Sequence, residues 1–212
     1  MSGPAIKICG ISTPATFDAV VEARVDYVGF VFYPPSPRHL SPTRAAGLAA
    51  RAAGKIAKVG LFVDAPDAAI AEAVSAAKLQ ALQLHGSETP QRAAELRARY
   101  ALPVWKVIAV ASAADIARAD AYAGAADLIL FDAKTPKGAL PGGMGLVFDW
   151  ALLSAYRGAL AWGLAGGLTA DNVAEAVRAT RAPLIDASSG LESTPGVKDV
   201  DKIAAFCKAA RQ

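Results

Sequence analysis

A lysine and a cysteine near the N-terminus are the first residues whose types and spacing suggest chemistry. Lys7 and Cys9 belong to the short run Ile6-Lys7-Ile8-Cys9-Gly10, which is rich in β-branched residues and is broken by glycine. Side chains two residues apart in a strand lie on one face, and an ammonium beneath a thiol favours the thiolate, which accepts a proton. The run predicts a reactive thiol at the end of a first strand, with inert packing as the alternative.

Polar side chains also follow the predicted second, fourth and sixth strands. Arg38 lies in a proline-rich loop. Such a stiff loop can hold the guanidinium over a pocket, where it binds a carboxylate; the alternative is a rigid connector with the arginine in solvent. Gln83 and His85 share a face, and His85 is a candidate base or a structurally held histidine. Asp132 ends an apolar run, where a partly dry setting makes it a candidate acid; a helix cap or a salt bridge is the alternative.

Glycines and serines follow the seventh and eighth predicted strands. Gly166 and Gly167 precede one helix, and Ser188, Ser189 and Gly190 follow the last strand. In eight-stranded α/β barrels these two loops commonly bind phosphate through backbone N–H groups. The pattern therefore predicts phosphate binding at these five residues.

The segment 133–145 has the composition of a lid over a substrate, and equally that of an idle surface loop. Its relevant residues are Lys134, Pro136, Lys137, Pro141, Gly142, Gly143 and Gly145.

Eight apolar runs alternate with alanine-rich helical patterns along the 212 residues. The predicted strands lie near 5–9, 27–32, 56–62, 80–84, 104–108, 127–131, 160–164 and 183–187. The predicted helices lie near 14–24, 42–53, 66–77, 90–99, 113–121, 146–156, 170–179 and 199–210. This alternation predicts parallel strands joined by crossovers, and eight units close a single-domain (βα)₈ TIM barrel over residues 1–212.

Two points of this fold stay open. An open doubly wound sheet competes with the barrel, but Cys9-Gly10-Ile11-Ser12 lacks the glycine pattern of a dinucleotide-binding turn. The helix 113–121 is the least regular and competes with a loop containing one turn. Ser12 or Thr13, Ser41 and Thr169 are the predicted N-caps or first-turn residues of three helices.

Composition excludes several classes of protein. With 54% hydrophobic and 19% charged residues the chain has a globular composition and not a disordered one. A net charge of +3, without a basic run, gives no reason to expect nucleic acid or an anionic membrane as partner. Two distant cysteines argue against a zinc site or a disulfide framework. With no signal-peptide pattern in the first residues, these features predict a cytoplasmic protein.

Eight motifs follow one another from the first predicted strand to the last loop. They are Lys7-Ile8-Cys9-Gly10-Ile11, Gly29-Phe30-Val31-Phe32, Ser36-Pro37-Arg38, Leu82-Gln83-Leu84-His85-Gly86, Phe131-Asp132, Gly142-Gly143-Met144-Gly145 with Phe148-Asp149-Trp150, Leu164-Ala165-Gly166-Gly167-Leu168 and Asp186-Ala187-Ser188-Ser189-Gly190-Leu191-Glu192. In this order they resemble the motifs of phosphoribosylanthranilate isomerases. The resemblance implies a (βα)₈ barrel that catalyses the Amadori rearrangement of N-(5-phosphoribosyl)anthranilate in tryptophan biosynthesis. The product would be 1-(o-carboxyphenylamino)-1-deoxyribulose 5-phosphate.

The resemblance also implies roles for individual residues. Cys9 would be the general base, Asp132 the general acid, and Arg38 would face the anthranilate carboxylate. The other predicted substrate-binding residues are Lys7, Gln83, His85, Gly142 and Gly143. The implied reaction needs no metal and no organic cofactor, and the predicted partner is a small phosphosugar, bound by a monomer or a homodimer.

Two residues depart from the family's pattern, and two other functions stay open. Met144 stands where the lid usually carries a small hydroxyl residue, and Asp64 stands where asparagine is common. One alternative is another phosphosugar isomerase on the same barrel, such as a histidine-pathway enzyme, although those tend to use paired aspartates. The other is a catalytically silent phosphosugar-binding subunit.

Overall fold

The fold is a closed barrel of eight parallel strands that neighbour one another in sequence order. The computed structural model describes residues 3–52, 54, 56–136 and 142–212. The barrel strands are β1 (Ala5–Cys9), β2 (Tyr27–Val31), β3 (Ala57–Phe62), β4 (Ala81–Leu84), β5 (Val104–Val110), β6 (Leu128–Ala133), β7 (Ala161–Leu164) and β8 (Leu184–Ala187). Each of the eight predicted strands is present, and the predicted barrel is confirmed.

Helices follow most of the strands. Within the described residues the α-helices are α1 (Pro14–Glu22), α2 (Pro42–Ala50), α3 (Asp67–Ala77), α4 (Pro90–Tyr100), α5 (Ala113–Ala117), α6 (Val173–Thr180) and α7 (Val200–Ala209). Thr13 and Ser41 cap α1 and α2 as predicted, each accepting a backbone N–H with proline at the next position. Among the helices that the structure describes, none combines the length and the hydropathy that a membrane crossing requires.

Two predicted helices are irregular. The segment 113–121 is the short helix α5 followed directly by a 3-10 helix, Arg118–Tyr122, so the predicted irregular helix is confirmed and the alternative of a loop with one turn was wrong. The predicted helix 146–156 was wrong over its first turn, because only Trp150–Ala155 is helical, as a 3-10 helix. Asp149 caps that helix through the N–H of Ala151 at 2.9 Å, and the residues before it run in non-helical conformation from the glycines of the loop.

A small hairpin follows β8 and was not predicted. After a 3-10 turn at Ser189–Leu191, the strands β9 (Glu192–Thr194) and β10 (Val197–Lys198) pair antiparallel. Only two or three residues form each strand, so neither has the length of an apolar run that sequence periodicity detects. The hairpin lies after the last barrel strand, where it supplies two charged side chains to the barrel mouth.

Alternation along β1 sorts its side chains between two environments. Ile6 and Ile8 point outward into the main hydrophobic core, together with Phe17 of α1. Lys7 and Cys9 consequently point into the barrel. The barrel closes with β8 beside β1 in a register that places Lys7 opposite Asp186, and this closure brings two charged residues together although they are distant in sequence.

Candidate active site

A cavity opens at the carboxyl ends of the barrel strands and brings most of the predicted site residues together. Twelve of the predicted residues line it: Cys9, Arg38, Gln83, His85, Asp132, Gly142, Gly143, Gly166, Gly167, Ser188, Ser189 and Gly190. In barrels of this kind, catalytic residues come from the ends of several strands at this face. Lys7 is the exception, because it is fully buried below the cavity and does not line it.

Asp132, at the end of β6, faces the cavity with one oxygen held and the other turned to a histidine. Its Oδ1 accepts the N–H of Ala133 at 2.8 Å, and its Oδ2 lies 3.4 Å from Nε2 of His85. Gly142 lies directly over both side chains, since a side chain at that position would collide with His85 and contact Oδ2 of Asp132. Asp132 as a whole residue is 8% exposed. Its carboxyl group lies between His85 and Gly142.

Cys9 lies on the floor of the same cavity, packed against Val31 and Leu61. Burial raises the pKa of the Cys9 thiol, and Asp186 adds to this rise, while the ammonium groups of Lys7 and Lys198 oppose it. The sequence predicted that Lys7 would favour the thiolate. Lys7 does act in that direction, but its charge is shared with Asp186 and burial has the larger effect.

Lys7 forms a buried ion pair below the thiol. Its Nζ lies 2.7 Å from Oδ2 of Asp186, and the side chains are 0% and 7% exposed. Burial lowers the pKa of Lys7, but Asp186 and Cys9 raise it by more, so the lysine is held charged. The structure therefore gives Lys7 a supporting position behind Cys9 and not the substrate contact that was predicted.

Replacing Lys7 by methionine is expected to destabilise the fold by about 3 kcal/mol, because Asp186 loses its buried partner. Burial already raises the pKa of Asp186, with Lys7 opposing the rise. A carboxyl group with a raised pKa needs no cation once it is protonated, so the loss should shrink as the pH is lowered from neutrality. Urea unfolding at two pH values measures both effects. The double variant with Asp186→Asn is the control and should recover stability; an equal loss in both variants at both pH values would contradict the assignment.

Arg38 meets a carboxylate of the protein itself. Its Nε and Nη2 lie 2.7 and 2.8 Å from Oε1 and Oε2 of Glu192, which belongs to β9. Nη2 also donates to the carbonyl oxygen of Gly143 at 3.1 Å. Nη1 makes no hydrogen bond to any residue that the structure describes, so the guanidinium is fixed on one edge and available on the other.

The glycine loops after β7 and β8 touch each other. Gly166 and Gly167 have φ of +91° and +61°, and Gly190 packs so closely on the Leu168 carbonyl that it has no space for a side chain. Within the described residues, the N–H groups of Gly166, Gly167, Ser189 and Gly190 have no acceptor. Backbone donors of this kind, facing one cavity, can bind an anion.

A second buried ion pair holds the loop that carries His85. Glu88 accepts the N–H groups of Asp64 and Gly86, at 2.8 and 2.9 Å, and its carboxylate lies 2.8 Å from Nζ of Lys106. Asp64 has a φ of +47°, which aspartate and asparagine tolerate better than most residues. This conformation gives a physical reason why the position takes asparagine or aspartate.

Sequence reasoning missed five charged residues around the site. They are Asp186, Glu192, Lys198 and the two members of the ion pair, Glu88 and Lys106. Strand alternation could have found Asp186, because it points inward at the end of β8 as Cys9 does at the end of β1. Of the predicted lid, residues 137–141, including Lys137 and Pro141, lie outside the described residues.

Comparison with known proteins decides the family. A family model described as N-(5'phosphoribosyl)anthranilate (PRA) isomerase matches residues 6–209. The chain belongs to this family. It is 54% identical over 207 residues to the N-(5'-phosphoribosyl)anthranilate isomerase of Paramagnetospirillum magneticum, which covers 97% of this chain and 96% of the relative. The resemblance seen in the sequence is thereby confirmed.

Solved phosphoribosylanthranilate isomerases share the fold. The enzyme from Thermotoga maritima superposes with a TM-score of 0.88 at 36% identity, covering 98% of both chains. A second structure, described as phosphoribosyl anthranilate isomerase in complex with reduced 1-(o-carboxyphenylamino)-1-deoxyribulose 5-phosphate, superposes with a TM-score of 0.85 at 35% identity and covers 98% of both chains. The barrel fold is therefore that of the family.

Proposed function

We propose that this chain converts N-(5'-phosphoribosyl)anthranilate to 1-(o-carboxyphenylamino)-1-deoxyribulose 5-phosphate in tryptophan biosynthesis, with Cys9 as general base and Asp132 as general acid. Membership of the isomerase family supports the reaction. The observation that carries the roles is that this thiol and this carboxyl group line one cavity, together with the two glycine loops.

The reaction needs an acid before it needs a base. Asp132 donates a proton to the furanose ring oxygen, the bond from that oxygen to C1' breaks, and the nitrogen lone pair forms the C1'=N bond of a protonated Schiff base. Cys9 then removes the proton from C2', and the electrons of that C–H bond form a C1'=C2' double bond, which neutralises the nitrogen. The resulting enolamine becomes the ketone by losing the proton of the 2'-hydroxyl group and gaining one at C1'.

The geometry suits this order of events. The Schiff base is itself the electron acceptor, so the chain has to supply only proton transfer and orientation. The thiol lies on the cavity floor beside β2, whereas the carboxyl group lies at the end of β6 beside His85. An acid and a base on different strands can reach different atoms of one substrate held between them.

The substrate would be held at its two charged ends. Phosphate would bind the free N–H groups of the loops at Gly166, Gly167, Ser189 and Gly190, and the aromatic carboxylate would meet the available edge of Arg38. Two anchors at opposite ends fix the sugar carbons between them, which lowers the entropic cost of reaching the reactive geometry.

Following the fluorescence of freshly generated phosphoribosylanthranilate tests the reaction directly. Added protein should accelerate the fluorescence change that accompanies conversion to the product. Tight binding of the reduced product analogue with no such acceleration would instead show a catalytically silent binding subunit.

Replacing Gly190 by alanine is expected to raise KM on the order of tenfold or more, because the new methyl group separates the two loops and misplaces charge-assisted hydrogen bonds to phosphate. The clash falls on the carbonyl oxygen of Leu168. Inhibition by inorganic phosphate should weaken in parallel. Gly47→Ala is the matched control, because that glycine of α2 has open space around it. Equal KM values for both variants would contradict phosphate binding at this loop.

A further inference from the structure

The carboxylate of Glu192 holds two cationic side chains at once. Glu192 makes a two-point contact with Arg38. In addition, its Oε1 accepts a hydrogen bond from Nζ of Lys198, and its Oε2 accepts one from the N–H of Gly196 at 3.1 Å. The Glu192 and Lys198 side chains are 4% and 1% exposed. The hairpin β9–β10 thus closes a buried cluster of two positive charges and one negative charge.

Lys198 also reaches the other side of the site. Its Nζ lies 3.3 Å from Oγ of Ser188, and Ser188 donates to the carbonyl oxygen of Cys9 at 3.1 Å. A continuous set of polar contacts therefore runs from Arg38 through Glu192, Lys198 and Ser188 to the backbone of Cys9. Every member lies within the cavity wall or directly behind it.

The charges in this cluster do not cancel. If Arg38 and Glu192 were alone, the bidentate ion pair would be neutral, and the arginine would attract a second carboxylate only weakly. Lys198 shares the same carboxylate, so the cluster of three keeps one net positive charge. Because the cluster is buried, little water screens that charge.

The remaining charge is directed at the cavity by the orientation of Arg38. Nε and Nη2 of Arg38 donate to the carboxylate of Glu192, and Nη2 also donates to the carbonyl oxygen of Gly143. Nη1 of Arg38 has no hydrogen-bond partner among the described residues. Arg38 lines the cavity, whereas Lys198 and Glu192 do not. Glu192 therefore acts on a ligand through Arg38, and Lys198 acts on a carboxylate at that end of the cavity through the same arginine, although Lys198 also contacts Ser188.

We propose that Lys198 and Glu192 are positioning residues that orient Arg38 and leave it the positive charge with which it selects a substrate bearing a carboxylate on its aromatic ring. This inference rests on the proposed function, because it takes the carboxylate to be the group that Arg38 binds. It adds that selectivity depends on a lysine that the substrate does not touch.

The experiment compares two ligands that differ only in that carboxylate. One is reduced 1-(o-carboxyphenylamino)-1-deoxyribulose 5-phosphate, and the other is the corresponding compound made from aniline. Their dissociation constants are measured by calorimetry for the wild type and for Lys198→Met, Lys198→Gln and Arg38→Met. Lys208→Met, an exposed lysine of α7, is the matched control for the loss of one positive charge.

Lys198→Met should weaken binding of the carboxylated ligand on the order of tenfold, the size of one charge-assisted hydrogen bond, and leave the aniline compound within about twofold. Lys198→Gln keeps the side chain polar but removes the charge, so it should show the same selective loss even if the methionine variant folds poorly. KM should rise in both, with kcat changing less than KM. Lys208→Met should match the wild type with both ligands.

Three outcomes would count against the proposals, and they differ. If Lys198→Gln binds both ligands as the wild type does, or loses both equally, the role of Lys198 is overturned. If Arg38→Met weakens binding of the carboxylated ligand selectively while the Lys198 variants bind both ligands as the wild type does, Arg38 binds the carboxylate without help from Lys198. If Arg38→Met itself loses both ligands equally, the proposed carboxylate contact fails, and the inference fails with it.

Discussion

Replacing Cys9 by alanine is expected to lower kcat by about two to four orders of magnitude with little change in KM, which is the range for loss of a general acid or base. The thiol lies on the cavity floor, packed against Val31 and Leu61, where it can reach a bound ligand. Alanine leaves the phosphate loops and Arg38 in place, so binding should survive. Single-turnover and steady-state fluorescence of the anthranilate substrate separate the two parameters.

Cys207→Ala is the matched control for this variant. Cys207 is buried on α7, and burial raises its pKa to about 11. Its removal should cost stability without changing kcat. If Cys9→Ala turns over within a few-fold of the wild type, Cys9 has no part in the chemistry.

The pH dependence of Asp132→Asn isolates the same thiol, because in that variant no acid loses its proton while the base becomes active. Burial raises the pKa of Cys9 above its ordinary value, despite the nearby Lys7 and Lys198. A base must lose its own proton before it accepts one, so in this variant the fraction of enzyme with a competent base grows as the pH rises. Its residual kcat/KM should therefore increase through neutrality and continue to rise beyond the ordinary thiol range, near pH 8.5. A flat profile for Asp132→Asn across this range would contradict Cys9 as the base.

Asp132→Asn is expected to lower kcat by about two to four orders of magnitude as well, because the amide keeps the shape of the carboxyl group but has no proton of suitable acidity to donate to the ring oxygen. The side chain is held by the Ala133 N–H and lies beside His85, so the substitution changes few contacts. The reduced product analogue should bind with nearly unchanged affinity, since it needs no proton transfer.

The control for this variant is Asp127→Asn, just before the opposite end of β6. Asp127 accepts the N–H of Val104 and pairs with Arg97, away from the cavity. Its loss should lower stability and leave kcat intact. If the two aspartate variants have similar kcat values, Asp132 is not the acid.

The sequence alone determined the barrel and much of the cavity lining. Alternating apolar runs and helical patterns specify eight parallel strands because each strand is buried on both sides and each crossover needs a helix. Alternation within a strand then fixes which side chains point inward, as with Cys9 at the end of β1. Asp132 could be placed at the barrel mouth by the same rule, because it ends a strand.

Only the tertiary structure decided what surrounds these residues. The closure of β8 on β1 sets Asp186 beside Lys7, and no local pattern encodes a contact between residues so far apart in sequence. Burial, together with Asp186, outweighs the effect of Lys7 and raises the pKa of the Cys9 thiol, where the sequence predicted that it would be lowered. Burial and charge sharing depend on distances between strands that composition and spacing do not contain.

The hairpin after β8 shows the same limit. Its two strands are too short to leave a periodic signal, yet they carry Glu192 and Lys198 to Arg38 from the opposite end of the chain. The sequence predicted that Arg38 would meet a carboxylate. In the folded protein Arg38 pairs with the carboxylate of Glu192, and Lys198 pairs with the same carboxylate. Only the closed barrel brings these three side chains within hydrogen-bonding distance, and their arrangement sets the net charge available to a second carboxylate.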